Sequence, residues 1–386
     1  MIGYIRQVAG PDPDAPLLEV ADLRVAIGGE RAVRPVAGIG FQVRAGETFA
    51  LLGESGCGKS MTALAIARLL PDGGRIEGGS LHLRGEDLLA HTEARMRAVR
   101  GGRIGMVFQE PGTSLNPVMT VYVQIAEVLA RHRGLRGAAA RAEARRLLDA
   151  VGIPDAERRL DDYPFQFSGG MKQRVMIAMA LAGEPELLIA DEPTTALDVT
   201  IQAQVLDLLA RLQRERGMGM LLITHDLGVV ARMAQRVGVM YAGELVETGD
   251  RSAFFTTPLH PYSRKLFAAL PGGQQRGRAL DALAGSVPAL DAEIPGCRFA
   301  ARCPQAFEPC THESPGWHRR DGQAVRCHLY AGGHNAPVPA PHAAAIDGPG
   351  PARGEAPLLA VRDLQVHFPV RKGIFRRTVG QVRAVD

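Results

Sequence analysis

Residues 48–60 read TFALLGESGCGKS, an apolar run that passes into a glycine-rich loop and then into a helical stretch. The segment from Gly53 to Ser60 fits the pattern GxxxxGK[ST], in which glycines let the backbone wrap a phosphate chain with inward-pointing N–H groups. Lys59 would bring a compact ammonium to the β- and γ-phosphates, and Ser60 a hydroxyl to Mg²⁺. Because a strand precedes the loop and a helix follows it, the stretch predicts a nucleotide-phosphate site.

The phosphate-binding set is this loop and the residue after it, namely Gly53, Glu54, Ser55, Gly56, Cys57, Gly58, Lys59, Ser60 and Met61. Cys57 fits as a small loop residue rather than as a reactive thiol. Lys59 is one of only four lysines among 45 basic residues. A guanidinium is a planar fork whereas an ammonium is a compact point charge, so Lys59 has a physical reason to be lysine.

Apolar strands alternate with helices on both sides of this loop. Strand candidates include residues 17–25, 103–108, 187–191 and 220–224, and residues 201–216 form an amphipathic helix. Between residues 120 and 168 the pattern is helical. Apolar strands alternating with helices predict an α/β fold with a mainly parallel sheet that helices cover on both faces.

One of these strands ends in two carboxylates, Asp191 and Glu192. A buried strand that delivers Asp and then Glu to its C-terminal end suits a partner for Mg²⁺ followed by a base that orients the attacking water. Beside a phosphate-binding loop, we interpret Asp191 as a magnesium ligand together with Ser60. Glu192 is the candidate general base.

Four further motifs carry a family resemblance. Residues 168–173, read SGGMKQ, resemble the signature motif of ATP-binding cassette (ABC) proteins. Gln109 resembles the Q-loop of that family, residues 196–198 its D-loop, and His225 its switch histidine. The six motifs follow the family's order. The resemblance implies that two such domains sandwich two ATP molecules head to tail.

The resemblance also implies roles for the residues in these motifs. Gln109 would contact Mg²⁺ and the attacking water, and His225 would grip the γ-phosphate. The signature would face the nucleotide of the partner cassette through Ser168, Gly169, Gly170 and Gln173. Family members stack adenine on an aromatic residue near the end of the first strand, where this chain has Ile27. We therefore expect adenine to be held here by apolar contact.

The expected fold is a P-loop NTPase core with antiparallel N-terminal strands, a helical subdomain that carries the signature, and a C-terminal extension. Residues 17–25 are echoed by residues 358–366, with six of nine positions identical. We expect the chain to be the front part of a longer tandem protein. The expected segments are a leader (1–16), an ABC nucleotide-binding domain (17–257, helical subdomain about 110–182), an extension (258–330), a linker (331–356) and the start of a second ABC domain (357–386).

Two stretches narrow the resemblance to one group of ABC proteins. Residues 109–117, QEPGTSLNP, and the His-Pro-Tyr sequence at 260–262 resemble the ATPases of di- and oligopeptide importers, including nickel and glutathione systems. This resemblance implies an ATP-hydrolysing subunit on the cytoplasmic face of the membrane. Its partners would be permease subunits, a second cassette on the same chain or a homologous subunit, and indirectly a periplasmic or extracellular substrate-binding protein.

Four of the five cysteines cluster late in the chain, with the spacing C-x5-C-x6-C-x16-C: Cys297, Cys303, Cys310 and Cys327. Four thiolates suit an iron–sulfur cluster or a structural zinc ion. Zinc sites usually contain closely spaced cysteine pairs, which this pattern lacks. The sequence therefore favours a [4Fe–4S] cluster, with zinc and unligated thiols as the alternatives.

Composition bears on the competing functions. The net charge is only +4 and aromatic residues make up 5% of the chain, so we expect no nucleic-acid partner. No apolar run approaches the length of a membrane span, and the N-terminus has no signal-peptide core. The alternative is a soluble ABC ATPase acting on DNA or ribosomes, which would lack the His-Pro-Tyr extension. An iron–sulfur redox sensor is a third class, which Glu192 and His225 argue against.

Overall fold

The computed structural model describes residues 15–29, 32–195, 197–269, 285–333, 359–372 and 377–385. They fall into two compact units, one containing the described residues up to 333 and the other those from 359 onward. The expectations for most of the leader, for residues 334–356 of the linker and for Ala196 of the D-loop lie outside the described residues. No helix in the described ranges has the length and apolar character needed to cross a membrane.

The strands of the first unit form two sheets. A four-stranded antiparallel sheet has the order β2-β1-β4-β5, and an eight-stranded sheet has the order β11-β12-β10-β9-β3-β8-β7-β6. The strands are β1 (Leu18–Ile27), β2 (Val33–Val43), β3 (Thr48–Leu52), β4 (Gly74–Leu83), β5 (Glu86–Asp87), β6 (Ile104–Val107), β7 (Leu187–Asp191), β8 (Gly219–Thr224), β9 (Arg236–Tyr241), β10 (Glu244–Asp250), β11 (Trp317–Arg320) and β12 (Gln323–Arg326).

Helices cover both faces of the larger sheet or form the layer that carries the signature. They are α1 (Lys59–Ile66), α2 (Glu93–Val99), α3 (Pro111–Ser114), α4 (Val121–His132), α5 (Gly137–Ala150), α6 (Ala156–Arg159), α7 (Gly169–Leu181), α8 (Val199–Arg216), α9 (Leu227–Met233), α10 (Arg251–Thr256), α11 (Pro261–Ala268) and α12 (Pro309–His312). Single 3₁₀ turns are found at Pro164–Gln166 and Ala300–Arg302. The α/β prediction is confirmed.

The centre of the larger sheet is parallel, as the sequence predicts. Strand β3 pairs in parallel with β8 and β9, and β7 pairs in parallel with β6 and β8. Every residue of β3, β7 and β8 is buried. Strands covered on both faces must be apolar throughout, which is why they are continuous apolar runs rather than alternating ones. Because they are parallel, the segments that follow them meet at one edge of the sheet.

The helical layer contains α4 to α7, from Val121 to Leu181. Thr120 caps α4 by accepting the N–H of Val123 at 3.4 Å, and Ser168 caps α7 by accepting the N–H of Met171 at 3.4 Å. Side-chain oxygens at these positions satisfy N–H groups that have no partner within the helix. The buried side chains of this layer include Leu129 of α4. They belong to the same hydrophobic core as the side chains on one face of β7 and β8.

Helix α1, the helix predicted after the loop, ends at Ile66. Beyond Ile66 the chain turns at Arg68, which has a φ of 51°. Its guanidinium donates to the carbonyl oxygens of Leu88 at 3.0 Å and His91 at 2.6 Å. Two bonds to a distant loop thus hold a left-handed residue that ends the helix.

The C-terminal extension adds strands to the central sheet, which the sequence analysis missed. Strands β11 and β12 form a hairpin, and β12 pairs antiparallel with β10. The turn residues Asp321 and Gly322 have φ values of 49° and 79°. An Asp-Gly pair between two short strands is a strong hairpin signal, so the element was readable from the sequence.

The second unit contains an antiparallel hairpin of β13 (Val366–Lys372) and β14 (Arg377–Val385). In the first unit, residues 18–25 of the echoed segment lie in β1, which pairs antiparallel with β2. Of the echoing residues, 359–365 form no strand, and β13 begins only at Val366. The echo is therefore not matched strand for strand, and a second cassette in a longer chain stays a prediction.

Candidate active site

The glycine-rich loop after β3 leads directly into α1, and Lys59 turns back over it. The Nζ atom of Lys59 donates to the carbonyl oxygens of Gly53 at 2.8 Å and Glu54 at 2.9 Å. Lys59 is only 5% exposed. The ammonium is therefore fixed inside the curve of the loop, at the start of a helix whose dipole favours an anion.

Two glycines of this loop have no substitute. A Cβ atom on Gly53 would lie 2.2 Å from the carbonyl oxygen of Met240. Gly58 has a φ of +106°, and a Cβ there would lie 1.9 Å from the carbonyl oxygen of Pro35. The loop thus presses against β9 and β2, and only glycine allows this close approach.

The other members of the predicted phosphate set differ in their environment. Cys57 is fully buried, and burial raises the pKa of its thiol, so it is a packed and unreactive side chain. Met61 packs partly buried against the core. The carboxylate of Glu54 is bound by Arg302 rather than free to meet a nucleotide. Ser55 and Gly56 lie at the exposed tip of the loop.

Ser60 and Asp191 come together from different elements. The Oγ atom of Ser60 donates to Oδ1 of Asp191 at 3.1 Å. Burial raises the pKa of Asp191, and the hydrogen bond from Ser60 partly offsets that effect. A hydroxyl and a carboxylate are hard oxygen donors of the kind that Mg²⁺ prefers, and they lie beside the phosphate loop. The pair fits a magnesium ion.

Three predicted catalytic residues meet around one carboxylate. The Glu192 carboxylate approaches His225 Nδ1 at 3.1 Å and accepts a hydrogen bond from Gln109 Nε2 at 3.3 Å. Glu192 follows β7, Gln109 follows β6 and His225 follows β8. These three strands are neighbours in the sheet, so their C-terminal ends deliver the three side chains to one place. A contact between Gln109 and Mg²⁺ stays a prediction.

A fourth residue at this carboxylate was missed by the sequence analysis. Thr195 Oγ1 donates to Glu192 Oε2 at 2.8 Å. Burial would raise the pKa of Glu192, but the hydrogen bonds from His225 and Thr195 outweigh it and lower that pKa. The carboxylate therefore stays ionised and can accept a proton. The sequence signal was the threonine three residues after the glutamate.

The signature residues lie apart from this site. They open α7, in the helical layer, and no hydrogen bond among the described residues joins them to the phosphate loop. Gly170 packs against Ile201, where an added Cβ would lie 2.7 Å from a methyl carbon, whereas Gly169 faces open space. Gln173 is buried, with only 2% of its surface exposed. A contact between Gln173 and a nucleotide stays a prediction.

The neighbouring motifs brace the same edge of the sheet. Asp198 of the D-loop caps α8 by accepting the N–H of Ile201 at 2.9 Å. Asp226, next to His225, caps α9 and accepts a hydrogen bond from Gln202 of α8 at 3.3 Å. Ile27, the residue expected to contact adenine, is the last residue of β1 and is half-buried. An adenine contact there stays a prediction.

The cysteine segment does not form the expected metal centre. The N–H of Cys297 donates to the carbonyl oxygen of Cys310 at 2.9 Å, which draws two of the four together. Burial raises the pKa of Cys303 to about 11 and that of Cys327 to about 12. Across the described ranges, no group of three or more His, Cys, Asp or Glu side chains is arranged to hold a metal ion. Neither the iron–sulfur cluster nor the zinc ion is supported.

Comparison with protein families finds two matches. Residues 36–195 match the family described as ABC transporter. Residues 246–310 match the family described as Oligopeptide/dipeptide transporter, C-terminal region. The first match covers the phosphate loop and the Glu192 segment. The second covers the His-Pro-Tyr sequence and three of the four clustered cysteines.

Curated relatives are similar over most of the chain. The dipeptide transport ATP-binding protein DppD of Bacillus subtilis is 48% identical over 318 residues, which is 81% of this chain and 94% of that protein. The oligopeptide transport ATP-binding protein AppD of the same organism is 48% identical over 317 residues, 81% of this chain and 97% of that protein.

Solved structures resemble the first unit. One is the ATP-binding cassette MJ0796, in a dimeric post-hydrolysis state bound to ADP and Pi, with a TM-score of 0.55 and 26% sequence identity. The match covers 61% of this chain and 98% of the MJ0796 chain. The cbiO1 protein from Clostridium perfringens, described as part of an ABC transporter complex, has a TM-score of 0.55 and 27% identity over 63% of this chain and 92% of its own.

Proposed function

This chain belongs to the ABC transporter family of ATP-binding proteins, and on that premise we propose that it hydrolyses ATP to drive the import of peptides through a membrane permease. The observation that carries the proposal is the convergence of Glu192 and His225 beside the phosphate loop. A base and a partner that orients it, next to a phosphate cradle, are what hydrolysis of a nucleoside triphosphate needs.

The groups at the site divide the work of hydrolysis. The loop N–H groups and Lys59 bind the β- and γ-phosphates, while Ser60 and Asp191 hold Mg²⁺. When bound, Mg²⁺ neutralises the charge that develops on the phosphate oxygens. Glu192 accepts the proton of the attacking water. His225 contacts the γ-phosphate that this water attacks.

The site is incomplete without a second cassette. Ser168 caps α7 and Gly169 opens it, with open space beside Gly169. The N-terminus of a 13-residue helix attracts an anion, and a second cassette would bring its nucleotide there. That cassette is either on the same polypeptide or a homologous subunit. The dimeric form of MJ0796 supports this arrangement.

The peptide substrate class is proposed from the relatives named above and from the matched C-terminal region. Di- or oligopeptides, or glutathione, would reach the permease from a substrate-binding protein outside the membrane. The ATPase itself would sit on the cytoplasmic face of that membrane as a peripheral subunit.

An exposed apolar surface is available for the permease. Val118 is 79% exposed and Phe165 is 72% exposed, and the rings of Tyr163 and Phe165 stack at 5.7 Å. The N–H of Val121 donates to the carbonyl oxygen of Asp162, which brings the two segments together. Large apolar side chains left in water mark sites of protein contact.

Co-purification and transport assays test this proposal. The chain should purify with a membrane complex, and vesicles with that complex should take up a labelled dipeptide only when ATP is inside. Both ATPase activity and uptake should be lost in Lys59→Ala and Glu192→Gln. Purification with ribosomes or DNA, and ATPase activity stimulated by nucleic acid without a permease, would replace this function with the alternative one.

A further inference from the structure

The C-terminal extension reaches back to the phosphate loop at one residue. The backbone N–H of Glu54 donates to the hydroxyl oxygen of Tyr262 at 2.9 Å. Arg302 binds the carboxylate of the same residue with both terminal nitrogens, at 2.7 Å and 3.1 Å. Tyr262 and Arg302 are 208 and 248 residues away from Glu54 in sequence. The backbone and the side chain of one loop residue are thus each held by the extension.

Tyr262 is itself held rigidly. Glu247 of β10 is fully buried, and its carboxylate accepts the N–H groups of Leu259 at 2.8 Å and His260 at 2.7 Å. His260 in turn caps α11 by accepting the N–H of Tyr262 at 3.1 Å. The tyrosine ring packs 4.7 Å from the ring of Tyr241. The His-Pro-Tyr sequence therefore sets the position of the tyrosine hydroxyl.

Arg302 is fixed as firmly as the tyrosine. Its side chain is only 6% exposed, and Nη1 also donates to the hydroxyl of Tyr241 at 3.3 Å. A bidentate arginine–carboxylate pair constrains both distance and orientation. Since the Glu54 side chain is only 28% exposed, this pair is shielded from solvent more than a surface ion pair.

We propose that Tyr262 and Arg302 are positioning residues for the ATPase, which act through Glu54 to hold the phosphate loop in its binding conformation. The proposal rests on the proposed hydrolysis of ATP. A loop that is pre-ordered loses less conformational entropy when the phosphates bind, so the effect falls on nucleotide affinity. Neither residue touches Glu192 or His225, and the chemical step should be little affected.

Two conservative variants and two matched controls test the proposal on the full chain. Tyr262→Phe removes only the hydroxyl, and Arg302→Gln removes the ion pair. Tyr122→Phe removes a hydroxyl that donates to the carbonyl oxygen of Gly137 in the helical layer, and Arg326→Gln removes an arginine of the extension that is paired with Glu244. We expect the KM for ATP to rise about five- to tenfold in the first pair, with kcat changed less than about twofold. The control pair should keep both constants.

A second readout reports the loop directly. Cys57 is a residue of the loop whose side chain is fully buried, so loosening of the loop should expose its thiol. Peptide mass spectrometry after alkylation follows Cys57 separately from the other cysteines. Labelling of Cys57 should be about tenfold faster in Tyr262→Phe and Arg302→Gln, and ATP should slow it again. The controls should label at the wild-type rate.

A double-variant cycle tests whether Arg302 acts through Glu54. In a Glu54→Gln background, Arg302→Gln should cause little further change in KM, because the partner is already neutral. Full additivity of the two changes, or wild-type KM and wild-type labelling in Tyr262→Phe, would overturn the proposal. The proposed function fails separately, namely if the wild-type chain binds and hydrolyses no ATP.

Discussion

The Nδ1 atom of His225 lies 3.1 Å from the Oε1 atom of Glu192, although the two residues follow different strands of the central sheet. Their exposures differ: 58% of the histidine side chain is exposed against 10% of the glutamate side chain. The buried carboxylate thus anchors a histidine that is largely exposed to solvent. Glu192 has a φ of +44°, a left-handed conformation that costs energy and recurs at functional sites.

Replacement of Glu192 by Gln should separate ATP binding from hydrolysis. The amide keeps the shape of the side chain but cannot accept the proton of the attacking water. We expect kcat to fall at least about 100-fold, while the dissociation constant for ATP changes less than about threefold. Single-turnover hydrolysis and nucleotide titration measure the two quantities. A kcat near the wild-type value would exclude Glu192 as the base.

Thr195 should contribute to catalysis through Glu192. In Thr195→Val the donor to Oε2 is lost, so the pKa of Glu192 should rise and the carboxylate should become less fixed. We expect kcat to fall about five- to tenfold with KM nearly constant. Thr195→Ser is the matched variant, because it retains the hydroxyl and should restore most of the activity. Equal losses in both variants would point to packing instead.

Lys59 should not tolerate Arg, although that change preserves the charge. Its Nζ atom fits between the carbonyl oxygens of Gly53 and Glu54 in a site that is almost fully buried. A planar guanidinium is larger and cannot occupy the same position. We expect ATP affinity to fall at least about 30-fold in Lys59→Arg, by nucleotide titration.

The control for this prediction is Lys172→Arg at the start of α7. Lys172 is half-buried and lies outside the phosphate loop, so this variant should bind ATP as the wild-type chain does. Tight ATP binding by Lys59→Arg would show that the loop needs only a positive charge.

Buried His260 should make the protein less stable in mild acid. Burial, with a smaller effect from Arg264, lowers the pKa of His260 to about 3, whereas an unfolded chain has a pKa of about 6.5. Between these values the unfolded chain binds a proton that the folded chain does not. The free energy of unfolding should therefore fall as the pH falls, by about 1.5 kcal/mol between pH 6.5 and pH 5 from this residue.

The variant His260→Asn tests that slope. Asparagine can still cap α11 at this position but does not titrate. It should lower stability at pH 7.5 because the ring contact with Phe299 is lost, yet reduce the dependence on pH. Denaturant unfolding at several pH values between 5 and 7.5 gives the comparison. Identical slopes for the two proteins would mean that folding leaves the pKa of His260 unchanged.

The core of the fold and most of the site were predictable because their signals are local. Strand β7 was predicted with its observed bounds, since a strand buried on both faces is a continuous apolar run. The phosphate loop carries its glycine and lysine pattern within eight residues. Parallel pairing then implies that Gln109, Glu192 and His225 share one edge, because each follows a parallel strand.

Other features could not be inferred in this way. Gln173 belongs to a recognisable motif, yet its side chain faces the interior of the helical layer. The cysteine spacing suggested a metal centre, but spacing along the chain does not determine where the sulfur atoms point. The hydrogen bond from Thr195 to Glu192 depends on the turn at Glu192. No local sequence pattern predicts the left-handed backbone of that turn.

The sequence by itself determined that the chain binds a nucleotide phosphate, that its sheet is mainly parallel, and that it resembles ABC importers of peptides. Only the tertiary structure decided what holds the phosphate loop. Arg302 and Tyr262 meet Glu54 across more than 200 residues, in a contact created by the packing of the extension on the sheet. Such contacts depend on the geometry of the folded chain, and a single sequence contains no periodic or spacing signal for them.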